Sequence, residues 1–155
     1  MITRNELIEL INTNRALFSD GAMGTVLSQR LPLNITCFDC VNLTHPEIVE
    51  SVHQDYLKAG SDIIQTNTFG ANRFKLGAQG MDGKLEEINH AAVEIARRAI
   101  AASGKSALIA GDIGPLGVRL APFGRVQLPE AREVFAQQVT SLVNAGVDLI
   151  IIETI

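Results

Sequence analysis

The chain has 155 residues, 46% of them hydrophobic and 19% charged, an ordinary globular composition with enough length for one sizeable core. Thirteen basic against seventeen acidic residues leave a formal charge of −4, and no stripe of Lys or Arg forms, which argues against nucleic-acid or anionic-membrane partners. The polar start MITRNELIEL is no secretory signal, no apolar run nears the roughly 18 residues of a membrane span, and two cysteines build no disulfide framework. A cytoplasmic protein is expected.

In chain order, Arg4 to Asn12 reads as a short amphipathic helix, and residues 1–14 as a cap over one end of a barrel. Four aliphatic runs follow at regular intervals: Ala16 to Asp20, Asp62 to Asn67, Ala107 to Asp112 and Asp148 to Glu153. Their lack of clean alternation predicts strands buried on both faces, and each ends in a polar or acidic residue. Helices are predicted between them. Ile48, Val52 and Tyr56 mark the first, with Thr44 as its cap, Pro46 in its first turn and Gly60 at its end. Ile88, Ala92, Ile95 and Ala99 mark the second, which ends near Gly104; Phe135, Val139 and Leu142 mark the third, between Pro129 and Gly146. An internal repeat is visible: Ala59-Gly60-Ser61-Asp62-Ile63-Ile64 returns as Ala145-Gly146-Val147-Asp148-Leu149-Ile150.

Alternating strands and helices imply a parallel α/β sheet. An open doubly wound sheet and a (βα)₈ barrel both fit. A final strand without a covering helix speaks for the barrel, and a barrel typically needs about 250 residues. The expectation is therefore the first four strand–helix units of a TIM barrel, truncated after strand 4, with sheet order 1-2-3-4.

Function in either architecture gathers at the carboxyl ends of the strands. That rule selects Asp20-Gly21-Ala22, Thr66-Asn67-Thr68, Gly111-Asp112-Ile113-Gly114 and Glu153-Thr154. Small residues after Asp20 leave backbone amides open to an anion, while the Asp20 carboxylate suits an ammonium. The pair matches the two ends of an α-amino acid better than a phosphate, although turn chemistry alone would also account for it. Cys37-Phe38-Asp39-Cys40, with His45 and His53 nearby, resembles part of a zinc site, but no second ligand pair follows, and the cysteines are read as two free thiols in a loop. His90 is read as a surface residue.

Taken in order, Asp20 to Thr25, Asn42 to Glu47, Ala59 to Asn72, Gly111 to Pro115 and Ile152 to Thr154 closely resemble the homocysteine S-methyltransferase family, from about Leu17 onward. The wording is most similar to bacterial methionine synthase modules and to fusions with methylenetetrahydrofolate reductase, which brings cobalamin and folate chemistry into view. The resemblance implies a (βα)₈ barrel in which Zn²⁺ binds the homocysteine sulfur and a methyl group passes to the thiolate, forming methionine. It implies that Asp20 and Glu153 receive the homocysteine ammonium and that the amides of Gly21 and Ala22 receive its carboxylate, with Asn67 and Asp112 shaping the pocket. The family's zinc cysteines, in Asn-Cys and Gly-Gly-Cys-Cys segments, match nothing here, so no metal ligand and no catalytic residue is assigned within the chain. The methyl donor would be methylcobalamin, S-methylmethionine or a betaine, carried by other parts of the protein. Competing expectations are a TIM-barrel lyase or aldolase, against which the strands' lack of Lys counts, and a non-catalytic partial-barrel module.

Overall fold

The computed structural model describes residues 2–13, 16–33 and 35–155. After α1 (Arg4–Ile11) come α2 (Met23–Arg30), α3 (Val41–Thr44), α4 (Pro46–Ala59), β1 (Ile63–Gln65) and α5 (Arg73–Gly77). A 3-10 turn at Asp82–Lys84 leads into α6 (Leu85–Ser103), then β2 (Leu108–Ile113), α7 (Leu128–Ala145) and β3 (Leu149–Ile152).

The three strands are parallel and lie in chain order, with Ile63 opposite Leu108 and Ala110 opposite Leu149. This sequential order is that of a barrel arc. The first aliphatic run departs from expectation. Instead of a strand it makes one isolated parallel bridge, Ser19 to Ile63 of β1. Carboxylates take over where the ladder would continue: Asp62 Oδ2 accepts from Phe18 N at 3.1 Å, and Asp20 Oδ2 accepts from Gln65 N at 2.9 Å. Phe18 itself is 65% exposed, so nothing packs this edge into a longer strand.

The repeated Ala-Gly-x-Asp motif does the same work twice. Gly60 (φ 112°) and Gly146 (φ 90°) end α4 and α7 in the left-handed region that glycine tolerates best. The following Asp then reaches across to the neighbouring chain segment. Asp62 receives Phe18 N, and Asp148 receives Ile109 N at 3.0 Å and Ile2 N at 2.8 Å. The second of these bonds ties the start of α1 to the amino end of β3. A Thr3–Glu6 capping box opens α1, which buries none of its residues.

Side chains alternate across the sheet. Ile64, Ile109 and Ile113 point to the helices and join Leu57, Val93, Ala96, Ala99, Leu142 and Val147 in the main core. Truncating a fully buried member such as Leu142 to Ala would cost about 2–5 kcal/mol. Asp112, one residue off that register, belongs to the opposite face. The second predicted helix matches α6, with Ile88, Ala92, Ile95 and Ala99 all buried. In α4 the buried row is Val49, Val52, His53 and Leu57, and the N-cap is His45, because Thr44 already closes α3. In α7 the most buried row includes Gln138, whose Nε2 donates to Thr68 O at 2.8 Å; Phe135 and Val139 flank it half-buried. No helix among the described residues is long and apolar enough to cross a membrane.

Candidate functional site at the carboxyl ends of the strands

The strand ends open into a cavity of about 780 Å³. Asp20, Gly21, Ala22, Asn67, Asp112 and Glu153, the residues singled out from sequence, all line it. The segment Gln65 to Thr68 is its frame. Thr66 Oγ1 accepts from Asp112 N at 3.1 Å, and Thr68 Oγ1 donates to Asp112 O at 2.7 Å, so two hydroxyls fix the backbone of the acid. The Asn67 amide donates to Phe38 O at 2.7 Å and to Asn42 Oδ1 at 3.0 Å. Its donors are therefore spent on holding the 38–42 turn. Glu153 N donates to Ile113 O at 3.0 Å, which sets the exposed Glu153 at the rim.

Asp20 closes the first edge. Its Oδ2 receives Gln65 N, and its Oδ1 receives the Ser19 hydroxyl at 3.2 Å. Burial nevertheless outweighs these bonds and pushes its pKa up to about 6. Directly after it, Tyr56 donates its hydroxyl to Ala22 O at 3.1 Å, and its ring crowds residue 21, where a Cβ would meet the hydroxyl oxygen at 3.0 Å and push the ring aside. No side chain caps α2, and the amides of Gly21 and Ala22 have no hydrogen-bond partner among the described residues. Bare amides beside a carboxylate form a two-signed site.

Asp112 is the most constrained acid. It is 6% exposed, and its Oδ1 has no hydrogen-bond partner among the described residues. Burial, then the charges of Glu153, Asp39 and Asp20, push its pKa to about 7, with Lys75 opposing. Asp39, likewise raised by burial, receives Gly70 N at 2.8 Å and is eased by Lys75. The Lys75 ammonium lies 4.3 Å from the centre of the Phe69 ring. Sequence reasoning passed over Asp39, Lys75 and Tyr56. The first stands inside the Cys-x-x-Cys motif, the second on the short α5, and the third reads simply as part of a helix face.

The cysteines correct an expectation. Cys37 and Cys40 are bonded to each other, because the turn between them brings their Cα atoms to 5.3 Å. Neither offers a thiolate, and among the described residues no group of three His, Cys, Asp or Glu is arranged to hold a metal ion. The residues present therefore do not fit the zinc that the resemblance implies. His53 is wholly buried in α4 without a hydrogen-bond partner among the described residues, and His90 sits half-exposed, 3.9 Å from Glu86.

Residues 17–155 match the model of the homocysteine S-methyltransferase family. The chain belongs to that family. Among solved structures it is similar to the homocysteine methyltransferase MmuM from Escherichia coli. The metallated form shares 28% identity and a TM-score of 0.82 over 96% of this chain and 57% of that one. The oxidized form gives 27% identity and a TM-score of 0.78. Methionine synthases of Mycobacterium tuberculosis and Mycobacterium leprae are 28% and 29% identical over 159 aligned residues, 96% of this chain. The chain spans only 13% of the length of these mycobacterial relatives.

Proposed function

We propose that residues 1–155 are the N-terminal half of a homocysteine-binding (βα)₈ domain, with residues 1–14 as its capping helix, in a transferase that methylates the homocysteine thiolate to methionine. What carries the proposal is the juxtaposition of the bare Gly21 and Ala22 amides with Asp20 in one cavity that also holds Glu153. An α-amino acid brings one carboxylate and one ammonium at fixed separation. The amides receive the carboxylate; Asp20 and Glu153 receive the ammonium, each as a charge-assisted hydrogen bond. Asp112 and Asn67 shape the wall behind it. These residues orient the substrate so that its sulfur projects toward the methyl donor, which makes them anchors rather than acids or bases. In the family the zinc supplies a deprotonated thiol, but this chain lacks the cysteines for it, so its own contribution is anchoring.

The test uses the chain joined to the second half of a family barrel. Asp20→Asn and Glu153→Gln keep size and remove charge, and each should weaken homocysteine binding by about 1–3 kcal/mol in a calorimetric titration. The thiol lacking the amino group should bind poorly to the parent and lose little more in either variant. Equal weakening of both thiols would mean that the acids support the fold rather than the substrate.

A further inference from the structure

The motif this function leaves unused is Cys37-Phe38-Asp39-Cys40. Its two sulfurs face different surroundings. Both pack on Ala71, Leu76 and Ile88, but Cys37 lines the cavity and is half-exposed, whereas Cys40 is a buried member of that cluster, 9% exposed. A reagent entering the cavity thus meets one end of the bond while the protein shields the other. The turn is also part of the cavity wall: Phe38 O receives the Asn67 amide, and Asp39 receives Gly70 N. Among the described residues, four carboxyl groups line the cavity around it, Asp20, Asp39, Asp112 and Glu153, against one ammonium, that of Lys75. Such a rim concentrates cations and repels anions.

We propose that Cys37 is a thiol-exchange centre, reached from the cavity by small aliphatic thiols and disulfides that carry an ammonium group, with Cys40 as its resolving sulfur. In the oxidising direction the Cys37 thiolate attacks one sulfur of an aliphatic disulfide. That S–S bond breaks, one external thiolate leaves, and a mixed disulfide forms on Cys37. The Cys40 thiolate then attacks Cys37 Sγ and expels the second external thiolate. Two protein thiols are oxidised, one external disulfide is reduced to two thiols, and the two cysteine protons end on them. Reduction by two equivalents of thiol runs the same steps backward. The exchange needs neither homocysteine nor a methyl donor, so it stands apart from the methyl-transfer reading.

The test is kinetic. The reduced chain is mixed with cystamine, 2-hydroxyethyl disulfide or dithiodipropionate, and disulfide formation is followed by intact mass. Each rate is divided by that of an unstructured peptide carrying the same Cys-x-x-Cys segment. At low ionic strength the normalised rate for cystamine should exceed that for dithiodipropionate by about tenfold, and the gap should close in high salt. Asp39→Asn should narrow it at constant salt. Cys40→Ser should stop at a cysteamine adduct on residue 37, and Cys37→Ser should give no adduct at Cys40. Equal normalised rates for the three disulfides, or an adduct that forms on Cys40, would overturn the proposal. If Cys40→Ser fails to fold, the three rates of the parent chain decide alone.

Discussion

At the amino ends of the strands, Asp148 receives backbone N–H groups from Ile109 and Ile2, and Asp62 receives that of Phe18. At the carboxyl end of β2, Asp112 has an oxygen with no partner among the described residues and lies within the field of three further carboxylates. The same side chain thus serves one end as a backbone clamp and the other as an unresolved charge. A carboxylate that accepts N–H groups stabilises the folded chain in its ionised form, whereas a desolvated one among like charges destabilises it. Folding alone selects the first arrangement. The second belongs with the proposed ammonium site, whose wall Asp112 forms.

The largest effect expected from this contrast lies at the clamp. Asp148→Ala orphans two backbone donors and should cost about 3 kcal/mol in urea unfolding. Asp62→Ala should cost less, since Phe18 sits on the exposed edge. Losses of under about 0.5 kcal/mol in both, the range of an ordinary surface change, would show that the repeat is not a structural clamp.

The carboxyl end should respond with the opposite sign. The pKa of Asp112 in the folded chain is about 7, above its ordinary value of 3.8. The native state therefore holds a proton that the unfolded chain releases, and stability falls as pH rises from about 4 to 7. Asp112→Asn removes that dependence and should raise stability by about 2 kcal/mol at pH 8 relative to its effect at pH 4. Asp20, raised to about 6, adds to the same slope over a narrower window. Identical urea midpoint shifts for Asp112→Asn at both pH values would mean that the cluster is solvated and stores no charge.

How much of this contrast the sequence disclosed depends on the range of the interactions. The parallel sheet, the three long helices and the Ala-Gly-x-Asp repeat were legible because aliphatic runs, helical periodicity and glycine stops are local. The cavity-lining Asp20, Gly21, Ala22, Asn67, Asp112 and Glu153 followed from the rule that strand ends meet at one mouth. The short helices α3 and α5 were not legible, since pieces of 4 and 5 residues carry too few turns to show a period, and α2, though as long as α1, has no side-chain cap and carries Gly24 in its first turn. Nor was the shrinking of the first run to a bridge, which depends on carboxylate–backbone bonds spanning 44 and 45 residues of sequence, Asp62 to Phe18 N and Asp20 to Gln65 N. The oxidation state of Cys37 and Cys40 does not follow from spacing alone, because free thiols and a bonded pair share the same motif. Asp39 and Lys75 enter the site only through the tertiary placement of the turn and of α5.

The smallest expected effect isolates the slope of the acids from that of a second titrating group. His53 is fully buried in α4, neither ring nitrogen has a partner among the described residues, and burial lowers its pKa to about 4. The unfolded chain binds a proton there near pH 6.5 that the folded chain refuses, so stability rises with pH between about 4 and 6.5. This runs against the slope from Asp112 and Asp20 in an overlapping window and partly masks it in the parent chain. His53→Leu fills similar space without a group that must stay neutral. It should change stability little at pH 7.5 and raise it by about 1 kcal/mol at pH 5, relative to the parent. The variant's stability curve should then fall with pH across the whole range from 4 to 7, exposing the contribution of the carboxyl-end acids. Parallel curves for parent and variant would show that His53 binds its proton equally in the folded and unfolded chain, and the acids at the strand ends would then have to account for the entire pH dependence.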